Sequence, residues 1–164
     1  MARSKWFSAV LDVVRRGTST LRQAERGTGR TSRQREPTTR PVGDGVRIEY
    51  TPQLDGDPDP GEVVWTWVPY EEDPTLGKDR PVVIIGRHGS GLSGVALTTK
   101  GRRDAGHVEV GTGPWDDRNR PSYAKVDRLL DIDADAVRRE GSVLNRRRFD
   151  AVVAAVDRLH DVTR

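Results

Sequence analysis

The stretch that decides the fold runs from Gly61 to Thr99 and reads GEVVWTWVPYEEDPTLGKDRPVVIIGRHGSGLSGVALTT. It contains three runs rich in branched aliphatic and aromatic residues, which favour β-strands. We predict these strands over Glu62–Val68, Arg80–Ile85 and Gly94–Thr99. The acidic segment 70–79 between the first two runs contains Pro and Gly and is expected to be a loop. Short strands in quick succession indicate a small β-rich domain.

The sequence after Thr99 continues this pattern and ends in a helix. The alternating run His107–Val110 predicts a fourth strand, and Tyr123–Ile132 predicts a fifth. Asp133 is placed to cap a short helix that Gly141 would end. A longer helix is expected after Asn145, with one apolar stripe formed by Phe149, Val152, Val153, Val156 and Leu159. The fold class is therefore mainly β with a C-terminal helix, in the form of a small barrel over residues 48–164.

The N-terminal part of the chain differs from this domain in charge. Met1–Arg47 carries 11 Lys and Arg against 4 Asp and Glu, a net charge of +7, whereas Ile48–Arg164 carries 17 against 21, a net charge of −4. Residues 1–14 could form an amphipathic helix. Residues 15–47 are rich in Gly, Ser, Thr, Arg and Pro and offer little to bury, so we predict a disordered basic linker.

Composition excludes several functional classes. The chain of 164 residues has no cysteine, which removes disulfides, thiolate nucleophiles and cysteine-based metal sites. No run approaches the roughly 18 apolar residues that a membrane-spanning helix needs. The apolar run Trp6–Val14 is followed by Arg15 and Arg16 rather than by a signal-peptide cleavage site, so we expect a cytoplasmic protein. His107 and His160 have no metal-ligand spacing and are expected at the surface.

Three further motifs have a structural and a functional interpretation. Gly89–Gly94 matches a dinucleotide-binding pattern but is followed by a strand, which favours a hairpin connection. Arg87-His88-Gly89 matches the start of a histidine phosphatase site, but no α/β pattern follows it, which favours an exposed loop. Trp65 and Trp67 alternate along one strand face and are expected in the core rather than as stacking platforms for bases.

The order of four motifs carries a family resemblance. GEVVWTWVP, KDRPVVII, VALTTK and AKVDRLLDID, followed by a C-terminal helix, resemble the MazF/PemK family of toxin endoribonucleases. The resemblance implies an SH3-like barrel, a homodimer, and cleavage of single-stranded RNA with no metal and no cofactor. It also implies the toxin role in a type II toxin–antitoxin pair, with a cognate antitoxin protein as partner and with DNA binding.

The resemblance also implies which residues form the site. Its arginine falls on Arg80 and its threonine on Thr98, and we take these two as the catalytic residues. The position that usually holds glutamine falls on Arg128, in the predicted fifth strand. An arginine at Arg80 suits attack of a ribose 2′-hydroxyl on the adjacent phosphate, because a guanidinium donates two hydrogen bonds to the oxygens that gain charge. The residues assigned to substrate binding are Lys78, Thr99, Lys100 and Arg128.

Two alternatives remain open at this point. Arg80 could form a structural salt bridge with Asp79 or Glu72 instead of contacting substrate. The loop sequence EEDPTLGKD would repel an RNA backbone if it lay at the site, and activity could then be lost. The second functional hypothesis is therefore a catalytically inactive barrel that binds RNA or a protein partner.

Overall fold

The structure is a computed structural model that describes residues 45–160 and residue 162. The predicted helix 1–14 and residues 15–44 of the predicted linker lie outside the described residues. Within the described part the chain forms eight strands and one α-helix. They are β1 (Arg47–Ile48), β2 (Glu62–Pro69), β3 (Gly77–His88), β4 (Gly91–Thr98), β5 (His107–Gly111), β6 (Ser122–Lys125), β7 (Leu130–Ile132), β8 (Arg139–Val143) and α1 (Arg146–Leu159).

The strands pair in an antiparallel sheet with the order β5-β6-β4-β3-β2-β8. The two central strands change neighbours along their length. One edge of β3 pairs first with β2 and then with β1, and one edge of β4 pairs first with β7 and then with β6. The result is a mainly β half-barrel with one C-terminal helix, which confirms the predicted fold class.

Alternate residues of β3 point into two different apolar clusters. Val83 and Ile85 belong to the larger cluster, which α1 covers, whereas Val82 and Ile84 belong to a smaller cluster on the opposite face. Burial on both faces explains why the VVII run is continuously apolar rather than alternating. The buried residues of α1 are Phe149, Val152, Val153, Ala155 and Val156. Leu159 was expected in this stripe but is 45% exposed, because the buried positions of the helix end one turn earlier.

The predicted fifth strand, Tyr123–Ile132, is wrong as one element. It consists of β6 and β7, which pair with different parts of β4 and are separated by a turn. The predicted short helix after Asp133 is also wrong, because only one helical turn forms there. Asp133 caps a 3₁₀ turn over Ala134–Ala136, and the chain then extends into β8.

Gly141 has a different role from the one its sequence context predicts. It lies inside β8 rather than at the end of a helix, and β8 pairs with β2. A Cβ atom at Gly141 would overlap the carbonyl oxygen of Val63. The glycine is therefore required by the close approach of two strands.

The described residues at the end of the predicted linker belong to the domain. Val46 is fully buried in the larger cluster, and Arg47 and Ile48 pair with Arg87 and Gly86 of β3. Val46 and Arg47, which the sequence analysis assigns to the linker, therefore contribute to the folded structure. Val46 is a single apolar residue among polar residues and glycines, so the local sequence does not predict its burial.

Two expected placements of aromatic side chains are also wrong. Trp65 is half-buried and Trp67 is 37% exposed, so neither belongs to the buried core. His107 and His160 are half-buried, and each has a hydrogen-bond contact. The Nδ1 atom of His107 lies 2.7 Å from Oδ1 of Asp104, and Nε2 of His160 lies 2.7 Å from the carbonyl oxygen of Val126. No helix within the described residues is long and apolar enough to cross a membrane.

Candidate active site

A groove with a volume of about 150 Å³ lies beside the smaller apolar cluster. Three members of its lining, Val68, Ala96 and Leu130, also belong to that cluster. Its charged lining residues are Glu71, Glu72, Arg80, Lys125 and Arg128, and its rim includes Pro69 and Tyr70. The groove therefore combines an apolar floor with three cationic side chains from three different segments.

Arg80 reaches the groove from β3. It lies directly opposite Thr66 in the β2–β3 ladder and shares a strand face with Val82, which belongs to the smaller cluster. Its Nε atom is buried and has no hydrogen-bond partner within the described structure. An unsatisfied buried donor is costly, so the Nε atom of Arg80 is an unfavourable feature that the fold tolerates beside the groove.

The predicted alternative for Arg80, a salt bridge, does not form in the described part of the chain. The Oδ2 atom of Asp79 instead accepts a hydrogen bond from Nη1 of Arg138 at 3.0 Å. Glu72 lines the groove but forms no ion pair with Arg80 within the described residues. Among the described residues, Arg80 is therefore placed in the groove without a carboxylate in an ion pair with it.

Thr98 lies at the end of β4, next to the groove rather than in its lining. Val82 pairs with Ala96, and continuing this register by two residues brings Arg80 opposite Thr98 on the same face. The Oγ1 atom of Thr98 accepts a hydrogen bond from the backbone N–H of Lys100 at 3.1 Å. Its hydroxyl hydrogen remains available for donation. Thr99 and Lys100 follow the strand and are exposed, as is Lys78 in β3.

Arg128 lies in the groove but not in a strand. It belongs to the turn between β6 and β7, and its Nη1 atom donates a hydrogen bond to the carbonyl oxygen of Pro69 at 2.8 Å. The correction follows from the division of the predicted fifth strand into two. One edge of the Arg128 guanidinium therefore anchors the end of β2.

Lys125 is a groove residue that the sequence reasoning missed. It is the last residue of β6, where Ser122 and Ala124 are buried and Tyr123 and Lys125 are half-buried. This alternation in SYAK places Lys125 on the face opposite the larger cluster, and the pattern is visible in the sequence. The single predicted strand Tyr123–Ile132 included both residues, and only Arg128 was assigned to the site.

Glu71 brings a carboxylate among these cations. Its Oε1 atom accepts a hydrogen bond from Nζ of Lys125 at 3.0 Å and lies 4.0 Å from Nη1 of Arg128. The hydrogen bond from Lys125 lowers the pKa of Glu71 below its ordinary value, against the opposing effect of burial, and the charges of Lys125, Arg128 and Arg80 lower it further. Glu71 is therefore ionised at neutral pH.

The other sequence motifs have structural roles. Arg87 donates a hydrogen bond to Asp59 at 2.6 Å and lies 3.4 Å from Glu49, so acidic partners occupy its guanidinium. Gly89 has a φ angle of +58° and lies in the tight turn between β3 and β4, as the hairpin interpretation predicts. Within the described residues, no group of three or more His, Asp or Glu side chains is arranged to hold a metal ion.

A comparison with protein families matches most of this domain. Residues 59–160 match the model of a family described as PemK-like, MazF-like toxins of type II toxin–antitoxin systems. The chain belongs to this toxin family. The matched residues include every element from β2 to α1 and all the groove residues described above.

Several solved structures are similar to the chain. The Mycobacterium tuberculosis toxin MazF-mt6 is 21% identical with a TM-score of 0.44, over 62% of this chain and 99% of that one. A mycobacterial endoribonuclease in complex with its cognate antitoxin is 20% identical with a TM-score of 0.48, over 62% and 93%. A MazE–MazF structure from Deinococcus radiodurans is 15% identical with a TM-score of 0.47, over 62% and 94%. A search of curated proteins finds no match.

Proposed function

We propose that this member of the toxin family is an endoribonuclease that cleaves single-stranded RNA by attack of a ribose 2′-hydroxyl on the adjacent phosphate. The observation that carries the proposal is the groove, in which Arg80, Lys125 and Arg128 converge. Family membership supplies the toxin role, and the cationic groove supplies a binding place for the phosphate that reacts.

Arg80 stabilises the charge that develops during the reaction. The 2′-hydroxyl gives its proton to solvent and its oxygen attacks phosphorus, which becomes five-coordinate and adds negative charge to its non-bridging oxygens. The bond from phosphorus to the 5′-oxygen then breaks and this oxygen takes a proton from solvent, so the products end in a 2′,3′-cyclic phosphate and a 5′-hydroxyl. The cationic guanidinium of Arg80 donates hydrogen bonds to these oxygens. Arg80 lines the groove, which supports this contact. The reaction needs no metal-bound water, because the nucleophile is part of the substrate and is already next to the phosphorus.

The neighbouring side chains orient the RNA. The hydroxyl of Thr98, on the same strand face as Arg80, donates to a phosphoryl oxygen and fixes the phosphate. Lys125 and Arg128 add positive charge on the other side of the groove. Flanking phosphates interact with the exposed groups of Lys78, Thr99 and Lys100. These contacts are independent of base identity and position the backbone.

The proposal includes the partners that a type II toxin requires. We propose that a cognate antitoxin protein neutralises this chain, in keeping with the family to which it belongs. We also propose a homodimer as the active form. DNA binding stays a prediction that follows from the family resemblance.

The test of the proposed function is RNA cleavage in excess EDTA. Purified protein is incubated with mixed single-stranded RNA, and the product ends are analysed for 2′,3′-cyclic phosphate. An Arg80→Ala preparation, purified in the same way, controls for contaminating ribonuclease. Cyclic phosphate ends that depend on Arg80 support the proposal, and cleavage that requires added Mg²⁺ contradicts it.

A second candidate function, a catalytically inactive barrel that binds RNA or a protein partner, is favoured by one observation. The carboxylate of Glu71 lies within the cationic groove and would repel a phosphate. Intact RNA that remains bound to the protein in the same experiment would identify this function.

A further inference from the structure

The loop that connects β2 and β3 is short and is held by its own hydrogen bonds. It places the acidic side chain of Glu71 in the groove. The backbone N–H of Tyr70 donates to the carbonyl oxygen of Leu76 at 2.8 Å, which closes the loop. Oδ1 of Asp73 accepts hydrogen bonds from the backbone and from the hydroxyl of Thr75 at 3.0 and 2.6 Å. These bonds fix the loop while Glu71 points to Lys125.

We propose that the Glu71 carboxylate occupies an anion position of the groove and competes with a substrate phosphate for Lys125 and Arg128. The inference rests on the proposed function for the identity of the competing anion, which is an RNA phosphate. In this arrangement Glu71 reduces the affinity of the resting protein for RNA. RNA binding requires that a backbone phosphate replaces the carboxylate.

The geometry of the donors supports this competition. A carboxylate and a phosphate diester both present oxygen acceptors with one negative charge, so they suit the same ammonium and guanidinium donors. Nζ of Lys125 bonds Glu71 at 3.0 Å, and the Arg128 guanidinium lies 4.0 Å away. Arg80 lines the same groove, and within the described residues Glu71 pairs with Lys125 and Arg128 but not with Arg80, so a phosphate that reaches Arg80 would gain a contact that Glu71 does not make.

The exposure of the ion pair makes the exchange feasible. The side chain of Glu71 is 51% exposed, and that of Lys125 is 29% exposed. Ion pairs that contact water contribute little to stability, so a polyanion that binds several cations can displace one carboxylate. The lowered pKa of Glu71 is consistent with a group that remains an anion, and it makes the carboxylate a weak base.

The experiment compares Glu71→Gln with the matched variant Glu72→Gln. Both remove one charge from adjacent positions of the same loop, but within the described residues only Glu71 bonds Lys125. The probe is mixed-sequence single-stranded DNA, which keeps the phosphates and lacks the 2′-hydroxyl nucleophile. We expect Glu71→Gln to lower the Kd for this probe about fivefold. Glu72 also lines the groove, so Glu72→Gln should lower the Kd as well, but by less than about twofold, because within the described residues it pairs with neither Lys125 nor Arg128.

A double-mutant cycle with Lys125→Met tests whether Glu71 acts through Lys125. We expect Glu71→Gln to increase the affinity for the DNA probe much less in the Lys125→Met background than in the wild type. An equal gain in both backgrounds would overturn the proposal, since it would indicate a general effect of charge.

The outcomes separate this inference from the proposed function. Unchanged or weaker DNA binding by Glu71→Gln overturns the inference. A loss of kcat by about 100-fold with unchanged DNA binding also overturns it, because Glu71 would then be a general base. If the wild-type protein cleaves no RNA but Glu71→Gln still binds DNA more tightly than Glu72→Gln, the inference stands and the proposed nuclease function is wrong.

Discussion

Arg138 forms an ion pair with Asp79, with 3.0 Å between Nη1 and Oδ2, and this pair occupies the carboxylate that immediately precedes Arg80 in the chain. Asp79 and Arg80 point to opposite faces of β3 because successive strand residues alternate. Sequence proximity suggested a salt bridge between these two neighbours, but strand geometry separates their side chains. The charge of Arg80 is therefore directed to the groove, where no carboxylate of the described part of the chain forms an ion pair with it.

Replacement of Arg80 is the first test of its role. If its guanidinium stabilises the transition state, Arg80→Ala lowers kcat by about 100-fold or more. The free energy of unfolding should change by less than about 1 kcal/mol, because Arg80 has no ion-pair partner within the described structure. RNA cleavage and thermal unfolding measure the two effects. Arg80→Lys should retain part of the activity, because it keeps the charge and loses the planar fork.

The control for this variant is Arg147→Ala, which removes an exposed arginine from the first turn of α1. We expect its cleavage rate to stay within about twofold of the wild type. If Arg147→Ala and Arg80→Ala lose activity equally, the effect reflects net charge and not the groove.

Thr98 and Thr99 provide a matched pair for the second prediction. Thr98→Val removes the hydroxyl from the strand face that Arg80 shares, and we expect about a tenfold loss of kcat. Thr99 is exposed and follows the strand, so Thr99→Val should have little effect on kcat. Single-turnover cleavage assays of both variants measure which of the two hydroxyl groups contributes to the rate. A loss of kcat in Thr99→Val alone would indicate that the catalytic hydroxyl belongs to Thr99, on the opposite face of the strand.

Much of the sheet could be predicted because local residue choice and burial agree there. The VVII run of β3 and the GVALT run of β4 are apolar on both faces, so their assignment needs no knowledge of distant partners. The capping by Asn145 is similarly local, since its side chain accepts a hydrogen bond from the backbone N–H of Arg148 at 3.0 Å. These elements were confirmed.

Elements that depend on distant strands could not be predicted from local pattern. β8 contains charged and small residues and extends only because it pairs with β2. The change of partner from β6 to β7 along β4 likewise divides a run that reads as one strand. As a result, Arg128 lies in a turn, and Lys125, the last residue of β6, also lines the groove. Tertiary pairing therefore determined the part of the site that the sequence interpretation missed.

The third prediction concerns the N-terminal limit of the folded domain. Removal of residues 1–44 should preserve a cooperative thermal transition, whereas removal through Ile48 should lower the melting temperature, because Val46 and β1 belong to the domain. Val46→Ala in the full chain should lower the free energy of unfolding by about 1–2 kcal/mol. The half-exposed Val143, replaced by alanine, serves as control with a loss below about 0.5 kcal/mol.

The fourth prediction concerns a pH dependence outside the groove. Hydrogen bonds from the Arg120 side chain hold the pKa of Asp116 at about 2, below the ordinary value of 3.8. Because the folded-state pKa is lowered, this carboxylate stabilises the fold above about pH 4, and the contribution is lost as the pH falls through about 2. A carboxyl NMR titration should show Arg120→Gln raising this pKa towards 3.8.

The control for Asp116 is Arg118→Ala, which keeps the backbone hydrogen bond from residue 118 to Asp116 and removes only a side chain. Its Asp116 should still titrate near pH 2. A wild-type Asp116 that titrates at its ordinary pKa would show that the Arg120 contact is not maintained in solution.

The fifth prediction concerns the substrate and tests the proposed mechanism most directly. The proposed nucleophile is the 2′-hydroxyl immediately 5′ of the broken bond, so one deoxynucleotide at that position should abolish cleavage there. The phosphate, the bases and nearly all backbone contacts to Arg80 and Thr98 are retained, so the Kd should change less than about threefold. The modified RNA should therefore act as a competitive inhibitor of normal cleavage. Cleavage of the deoxy substrate at the normal rate would mean that water is the nucleophile, and the roles assigned to Arg80 and Thr98 would then be wrong.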